Sequence, residues 1–373
     1  MQLAAPKSIL LQAIRRIIAA VPTKSLIPIL SGIHMEAHLH GITLTASQIS
    51  MTLQTTIPIQ EEHIDIKQYG SCVIPAKYAL DIIRHLPDGI VMLSVDSDNK
   101  ICIQSEQSIY HLCGMNPEEY PALAQVNYEH TFQVPSDLFK KMIKQVAFSI
   151  STSEVRPILT GISCTINDTS LRLTATDGVR LASALTTIQS HNDIPLSIVF
   201  PGKFLTEYCK IVDNHETLQI DIGKQIIRIH SNQVLLQTTR LEGVFPGLEQ
   251  LVPPSCITEL TVCTAKLLQA LERVSLLADR VPIIRLHTHA SQLIELSSQT
   301  IAVGDVCEQL AYETFRGEPI RIHFNGNYLI DILRHMDDTH VTLQFISESR
   351  AIVVKPANFA TSLYILAPSR THS

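Results

Sequence analysis

The chain repeats itself. Three stretches about 125 residues apart share one order of residue types, and so long a period means tandem domains rather than a solenoid of short units. The first copy spans Val73 to Asp88, the second Val199 to Asn214 and the third His323 to Asp338. Each passes from a strand end through a Pro or Asn turn to an aromatic residue: Tyr78, Phe204 or Tyr328. An acid follows (Asp81, Glu207, Asp331), then a base (Arg84, Lys210, Arg334), then a polar stop. Lys77, Lys203 and Asn327 match just before the aromatic. In 373 residues this predicts three domains, 1–128, 129–253 and 254–373.

Each unit opens with an amphipathic helix. Leu10, Ala13, Ile14, Ile17 and Ile18 form an apolar stripe, with Lys7, Arg15 and Arg16 off it. Leu138, Phe139, Met142, Ile143 and Val146 do the same in the second unit, opposite Lys140, Lys141 and Lys144. Leu267, Leu268, Leu271 and Val274 do so in the third, with Lys266 and Arg273 outside. Pro135-Ser136-Asp137 reads as an N-terminal cap. After each helix comes a Pro-containing apolar strand start, at Ile27-Pro28, Arg156-Pro157 and Val281-Pro282, and then alternating segments broken by Asn, Asp and Gly turns. The expectation is an α+β chain, each domain mostly antiparallel strands with two helices, and Lys and Arg gathered on the helices' outward faces.

Hydrophobic residues make up 45% and charged residues 17%, which suits packed cores and excludes a disordered chain. No apolar run reaches membrane-spanning length, and no basic-then-apolar leader is present, so a cytoplasmic protein with no membrane partner is expected. The net charge of −6 argues against a uniformly basic nucleic-acid binder, but not against bases collected on one surface. The eight cysteines form no CxxC pair, and most read as small core residues. No phosphate loop, nucleophile elbow or HExxH occurs. His34, His38 and His40 share a strand face at ligand-like spacing, but a mixed polar strand explains them as well. No catalytic residue, metal or cofactor is expected.

Several motifs together resemble the bacterial DNA polymerase III beta subunit family, the sliding clamps. They are Thr152-Ser153-Glu154-Val155-Arg156-Pro157-Ile158-Leu159-Thr160-Gly161, Thr174-Ala175-Thr176-Asp177-Gly178-Val179-Arg180-Leu181, Glu242-Gly243-Val244-Phe245-Pro246 and Tyr364-Ile365-Leu366-Ala367-Pro368-Ser369-Arg370. The likeness runs in order along the whole chain. It implies three clamp domains per chain and two chains joined head to tail, a homodimeric ring with helices lining the hole and sheets outside. Such a ring encircles duplex DNA without sequence specificity and confers processivity as a non-catalytic factor. The alternative is a clamp-derived paralogue acting as a partner-binding decoy or a mixed-ring subunit.

The resemblance also implies a hydrophobic cleft for short peptides from the DNA polymerase III alpha subunit, the clamp loader, other polymerases and repair proteins. Carried over by motif, it comprises Leu159, Thr176, Gly178, Val179, Arg180, Leu181, Pro246, Leu251, Ser349, Ala351, Ile365, Ala367, Pro368, Ser369 and Arg370. Aliphatic walls accept Leu or Phe anchors, and Arg180 is expected to clamp a carbonyl. Lys24, Lys77, Arg156 and Lys203 match basic positions of relatives; Lys140, Lys141 and Lys144, from the helix reading alone, join them as DNA-facing. Tyr110, Leu112, Leu276 and Leu277 are the expected dimer contacts. The chain departs from the family at Val179, where some relatives carry His, and at Ser349 and Ser369. Its strand Gln104–Leu112 lacks the bases some relatives use across the dimer, which predicts a hydrophobic joint. Thr371-His372-Ser373 after Arg370 add to the reading as a divergent second copy.

Overall fold

The structure, a computed structural model, describes residues 1–125, 127–188, 195–248, 255–278, 281–288, 293–300, 303–358 and 361–369. Six α-helices lie among the described residues: α1 (Lys7–Ile17), α2 (Ala76–His85), α3 (Ser136–Val146), α4 (Gly202–Ile211), α5 (Thr264–Val274) and α6 (Gly326–His335). They fall where the repeat and the apolar stripes place them. The described strands form four antiparallel sheets.

The chain divides into two compact units. One holds Met1–Asp137 with Phe204–Arg240, the other Leu138–Lys203 with Leu241–Ser373. In the first unit, a five-stranded sheet runs in the order 65–68, 2–6, 90–95, 100–105, 108–113. An eight-stranded sheet runs 130–135, 217–222, 226–230, 234–239, 51–58, 41–48, 32–38, 70–75. Its centre joins two repeats: Leu236 of the second lies opposite Leu53 of the first, and both are buried. In the second unit, a nine-stranded sheet likewise joins 180–187 to 362–366, with Tyr364 opposite Ala182, and a four-stranded sheet runs 304–311, 293–300, 283–288, 321–325. Helices α1, α2, α5 and α6 pack on these sheets, α1 through Leu10, Ala13, Ile14 and Ile17.

Three expectations change, and one contact is added. A strand precedes the first helix of every repeat, at Gln2–Pro6, His130–Pro135 and Thr258–Cys263. The Pro-led strand starts of the first two repeats are 3₁₀ turns, Pro28–Ser31 and Pro157–Thr160, before the strands Gly32–His38 and Gly161–Asn167. Proline fits the first position of such a turn, because its φ is preset and its missing N–H would have no partner there. Ser31 and Thr160 close the turns by donating to the carbonyls of Pro28 and Pro157 at 2.6 and 2.7 Å. Ser136 and Asp137 accept hydrogen bonds from the backbone N–H groups of Glu216 and His215, tying α3 to the loop after α4. Arg16 is buried, not solvated: it donates to Asp213 Oδ2 at 2.5 Å and Gln233 Oε1 at 2.6 Å within the first unit.

Leu236→Ala should remove packing from the joint between repeats and cost about 2–5 kcal/mol, read as a lower urea midpoint at unchanged slope.

Candidate functional site

The cleft motif surrounds the turn Asp177-Gly178-Val179 in the second unit. One carboxylate oxygen of Asp177 accepts the backbone N–H groups of Val179 and Arg180, both at 2.9 Å. Gly178 takes φ +91°, a left-handed value that costs a residue without a Cβ little, and faces open space. Thr176 Oγ1 accepts from Gly178 N–H at 3.1 Å and donates to the Arg180 carbonyl at 2.7 Å. The hairpin tip is thus locked by its own side chains, which leaves Val179 standing 44% exposed.

Arg180 is the hub beneath that tip. Its Nε donates to the second oxygen of Asp177 at 3.1 Å, and its Nη1 to Asp331 Oδ2 of α6 at 2.6 Å. The guanidinium lies over the rings of Tyr328 at 4.6 Å and Phe148 at 5.4 Å. Phe148 in turn stacks on His335, centroids 4.6 Å apart. Two carboxylates and two rings hold the guanidinium that was expected to clamp a carbonyl. Phe148, Tyr328 and Asp331 are neighbours of the expected cleft that the motifs did not point to. The repeat held a signal for two of them, since Tyr328 and Asp331 are the aromatic and the acid of the third copy. In the other copies that acid meets its local base: Asp81 takes Arg84 at 2.8 Å and Glu207 takes Lys210 at 2.7 Å. In the third, Arg334 turns to Glu272 at 2.7 Å, and Asp331 binds Arg180.

The other predicted cleft residues sort by depth. Leu159, Leu181 and Ile365 are buried, and Leu181 lies opposite Ile365 across the strands. Thr176 is buried as well. Ala351, Ala367, Pro368 and Ser369 are half-buried, while Gly178, Pro246 and Ser349 are exposed. The terminal strand is held over the turn by Ala367 N–H donating to the Val179 carbonyl at 2.9 Å, and Ser369 N–H donates to the His323 carbonyl at 2.7 Å. The turn carrying Pro246 lies beside the 3₁₀ turn carrying Leu159, with Gly243 against Ile158. Leu251 and Arg370 lie outside the described residues.

Of the predicted DNA-facing residues, Lys24, Lys77, Lys141, Lys144, Arg156 and Lys203 are exposed and Lys140 is half-buried. Lys77 and Lys203 occupy the first turns of α2 and α4. Lys141 pairs with Asp337 at 3.0 Å. Of the predicted dimer residues, Tyr110 and Leu112 lie on strand Ser108–Cys113, at an open edge of the five-stranded sheet. Leu276, 79% exposed, and the half-buried Leu277 lie in the 3₁₀ turn after α5.

The histidine trio does not converge. His34 stacks on Tyr120, and His38 Nε2 lies 2.8 Å from Thr43 Oγ1. Burial lowers the His34 pKa against the opposing pull of Glu36. Among the described residues no group of His, Cys, Asp or Glu is arranged to hold a metal ion. Cys72 and Cys164 are buried, which pushes each thiol up to about 12 and away from the reactive thiolate. Among the described residues no helix is long and apolar enough to cross a membrane.

Three repeats share their sheets with their neighbours, and the Val179 tip stands exposed on a turn locked by Asp177 and Thr176. Models of the DNA polymerase III beta subunit match throughout: its N-terminal domain at residues 1–124, its central domain at 133–247 and its C-terminal domain at 249–370. The chain belongs to this family, the bacterial beta sliding clamps, which are non-catalytic processivity factors of DNA replication. It is 33% identical to the beta sliding clamp of Bacillus subtilis (strain 168) over 372 residues, 98% of each chain. It is also 33% identical to that of Halalkalibacterium halodurans over 374 residues, again 98% of each. The solved DNA polymerase sliding clamp from Bacillus subtilis superposes with a TM-score of 0.96 at 32% identity, covering 100% of both chains. The DNA polymerase III beta chain of Streptococcus pneumoniae TIGR4 gives 0.94 at 29%, covering 99% of this chain and 100% of that one. The three-domain clamp fold is therefore that of the family.

Arg180→Met should leave Asp177 and Asp331 facing each other without their cation and lower stability by about 1–3 kcal/mol, measured by denaturant titration at neutral pH.

Proposed function

We propose that two copies of this chain close head to tail into a ring that encircles duplex DNA and tethers polymerases to it. The whole-chain likeness to beta sliding clamps, 33% identical over 98% of the chain, is the observation that carries this reading. The domains are 1–128, 129–253 and 254–373, and the setting is the cytoplasm. Strands 108–113 and 304–311 each end a sheet, and an open edge is a template for another strand. Tyr110 and Leu112 on the first, and Leu276 and Leu277 beside the second, supply the apolar contact.

Lys24, Lys77, Lys140, Lys141, Lys144, Arg156 and Lys203 face the DNA backbone. Their charge is set in a chain of net charge −6, so the attraction is mild, and encirclement rather than affinity keeps the ring on its track. The rim around Val179, Pro246 and Pro368 accepts the hydrophobic anchors of short peptides from the DNA polymerase III alpha subunit, the clamp loader, other polymerases and repair proteins. Leu159, Thr176, Gly178, Leu181, Leu251, Ser349, Ala351, Ile365, Ala367, Ser369 and Arg370 complete that cleft around the fixed Arg180.

The ring reading is tested by loading the protein onto nicked circular DNA with a clamp loader and filtering by size. Protein should stay with the circle through a salt wash and be lost when the circle is linearised; equal loss from both forms would overturn it. Replacing Leu276 and Leu277 together by Glu should shift the sedimenting species from two chains to one, and an unchanged dimer would refute their place in the joint.

A further inference from the structure

The terminal segment carries the Val179 rim onto the outer face of the third repeat. Ala367 donates its N–H to the Val179 carbonyl at 2.9 Å, and two residues later Ser369 donates to the His323 carbonyl at 2.7 Å. Two residues of chain span at most about 7 Å, so His323 lies a short step beyond the rim. It belongs to strand Arg321–Asn325, which ends the four-stranded sheet.

The two faces of that sheet differ in kind. Ile284 and Leu286 lie opposite Phe324 and Ile322, and all four are buried. Side chains alternate along a strand, so Arg285, His287, Arg321 and His323 project from the other face, toward solvent. There Arg285 lies opposite His323, and His287 opposite Arg321. Arg285 keeps 42% of its side chain exposed while it holds Glu295 at 3.2 Å, and Arg321 is exposed. Burial, then Arg285 and Arg321, lower the His323 pKa against the opposing pull of Glu348. The imidazole is therefore neutral at pH 7, and the two guanidinium groups beside it carry the positive charge of the patch.

The fold does not require these bases. Counted from the residue before each repeat's second helix (Pro75, Pro201 and Asn325), the equivalents of Arg321 are Ser71 and Ser197. The equivalents of Arg285, read from the facing strand, are His34 and Ser163. Of the three repeats, the one that places arginine at both positions is the one whose terminal strand borders the rim.

We propose that this face extends the peptide cleft, and that the peptides it takes carry carboxylates beyond their hydrophobic anchors, held by Arg321 and Arg285. The inference rests on the cleft reading above and adds to it the charge of the ligand. Strand spacing sets Arg321 about 7 Å past His323, so an extended peptide anchored at Val179 reaches it in about five residues. The pairs are open to solvent, so each contributes modestly and weakens with salt. With a net charge of −6 the chain as a whole repels an acidic tract, so a preference for one has to come from a local patch.

Fluorescence anisotropy on the full-length protein tests this. The probe is a labelled peptide with a Leu and a Phe anchor, extended at one end or the other by three Asp or by three Ala. At low salt the Asp tract at one of the two ends should bind about two- to fivefold tighter than the Ala tract, and the gap should close as salt is added. In Arg321→Glu that preference should vanish, and a Lys tract at the same end should bind tighter than Ala. The same charge change at Lys100, in the first unit, should leave the preference for Asp in place. Equal binding of Asp and Ala tracts at both ends, or a preference that survives Arg321→Glu, would overturn the proposal while the Ala peptide still reports a working cleft. No binding of any peptide would overturn the cleft reading and this extension with it.

Discussion

A strand with an open edge is a row of unmet backbone donors and acceptors, and the molecule is organised around meeting them. The central repeat owns no complete sheet. Its strand 234–239 completes its pairing on 51–58 of the first repeat, and its strand 180–187 does so on 362–366 of the third. The compact units therefore cut across the repeats, each holding one whole repeat and half of the middle one. Burial follows the same plan, because Leu236 and Leu53, or Tyr364 and Ala182, are core only while the two repeats share a sheet.

The rim around Val179 is a by-product of the second shared sheet. Pairing 180–187 with 362–366 brings the Asp177-Gly178-Val179 turn beside the terminal strand and places Arg180 where Asp331, Tyr328 and Phe148 converge. Two carboxylates and two rings hold that cation beneath the turn, and the apolar tip at Val179 stays exposed above it. The third repeat releases its acid for this task by giving Arg334 another partner, Glu272. One repeated motif thus yields a local helix ion pair twice and a binding-site strut once.

The architecture of each repeat was legible in the residues: the apolar stripes of α1, α3 and α5, the aromatic–acid–base copies of α2, α4 and α6, and the alternating strands between them. Local periodicity is enough for these, because helix and strand impose their spacing on neighbouring residues. The deep members of the cleft, Leu159, Leu181 and Ile365, were legible only through the family motifs, and burial leaves them as its floor rather than its open wall.

The sequence by itself determined three copies of one α+β unit and six amphipathic helices. Only the tertiary structure decided which charges are free. Arg16 reads as a solvated helix residue until Asp213 and Gln233, some two hundred residues on, close over it; the ion pair of Arg180 with Asp331, likewise, has no trace in the linear pattern. Which edges are closed and which are left open was settled at the same level. Charge pairing and strand pairing depend on distance in space, and a linear pattern records only distance along the chain.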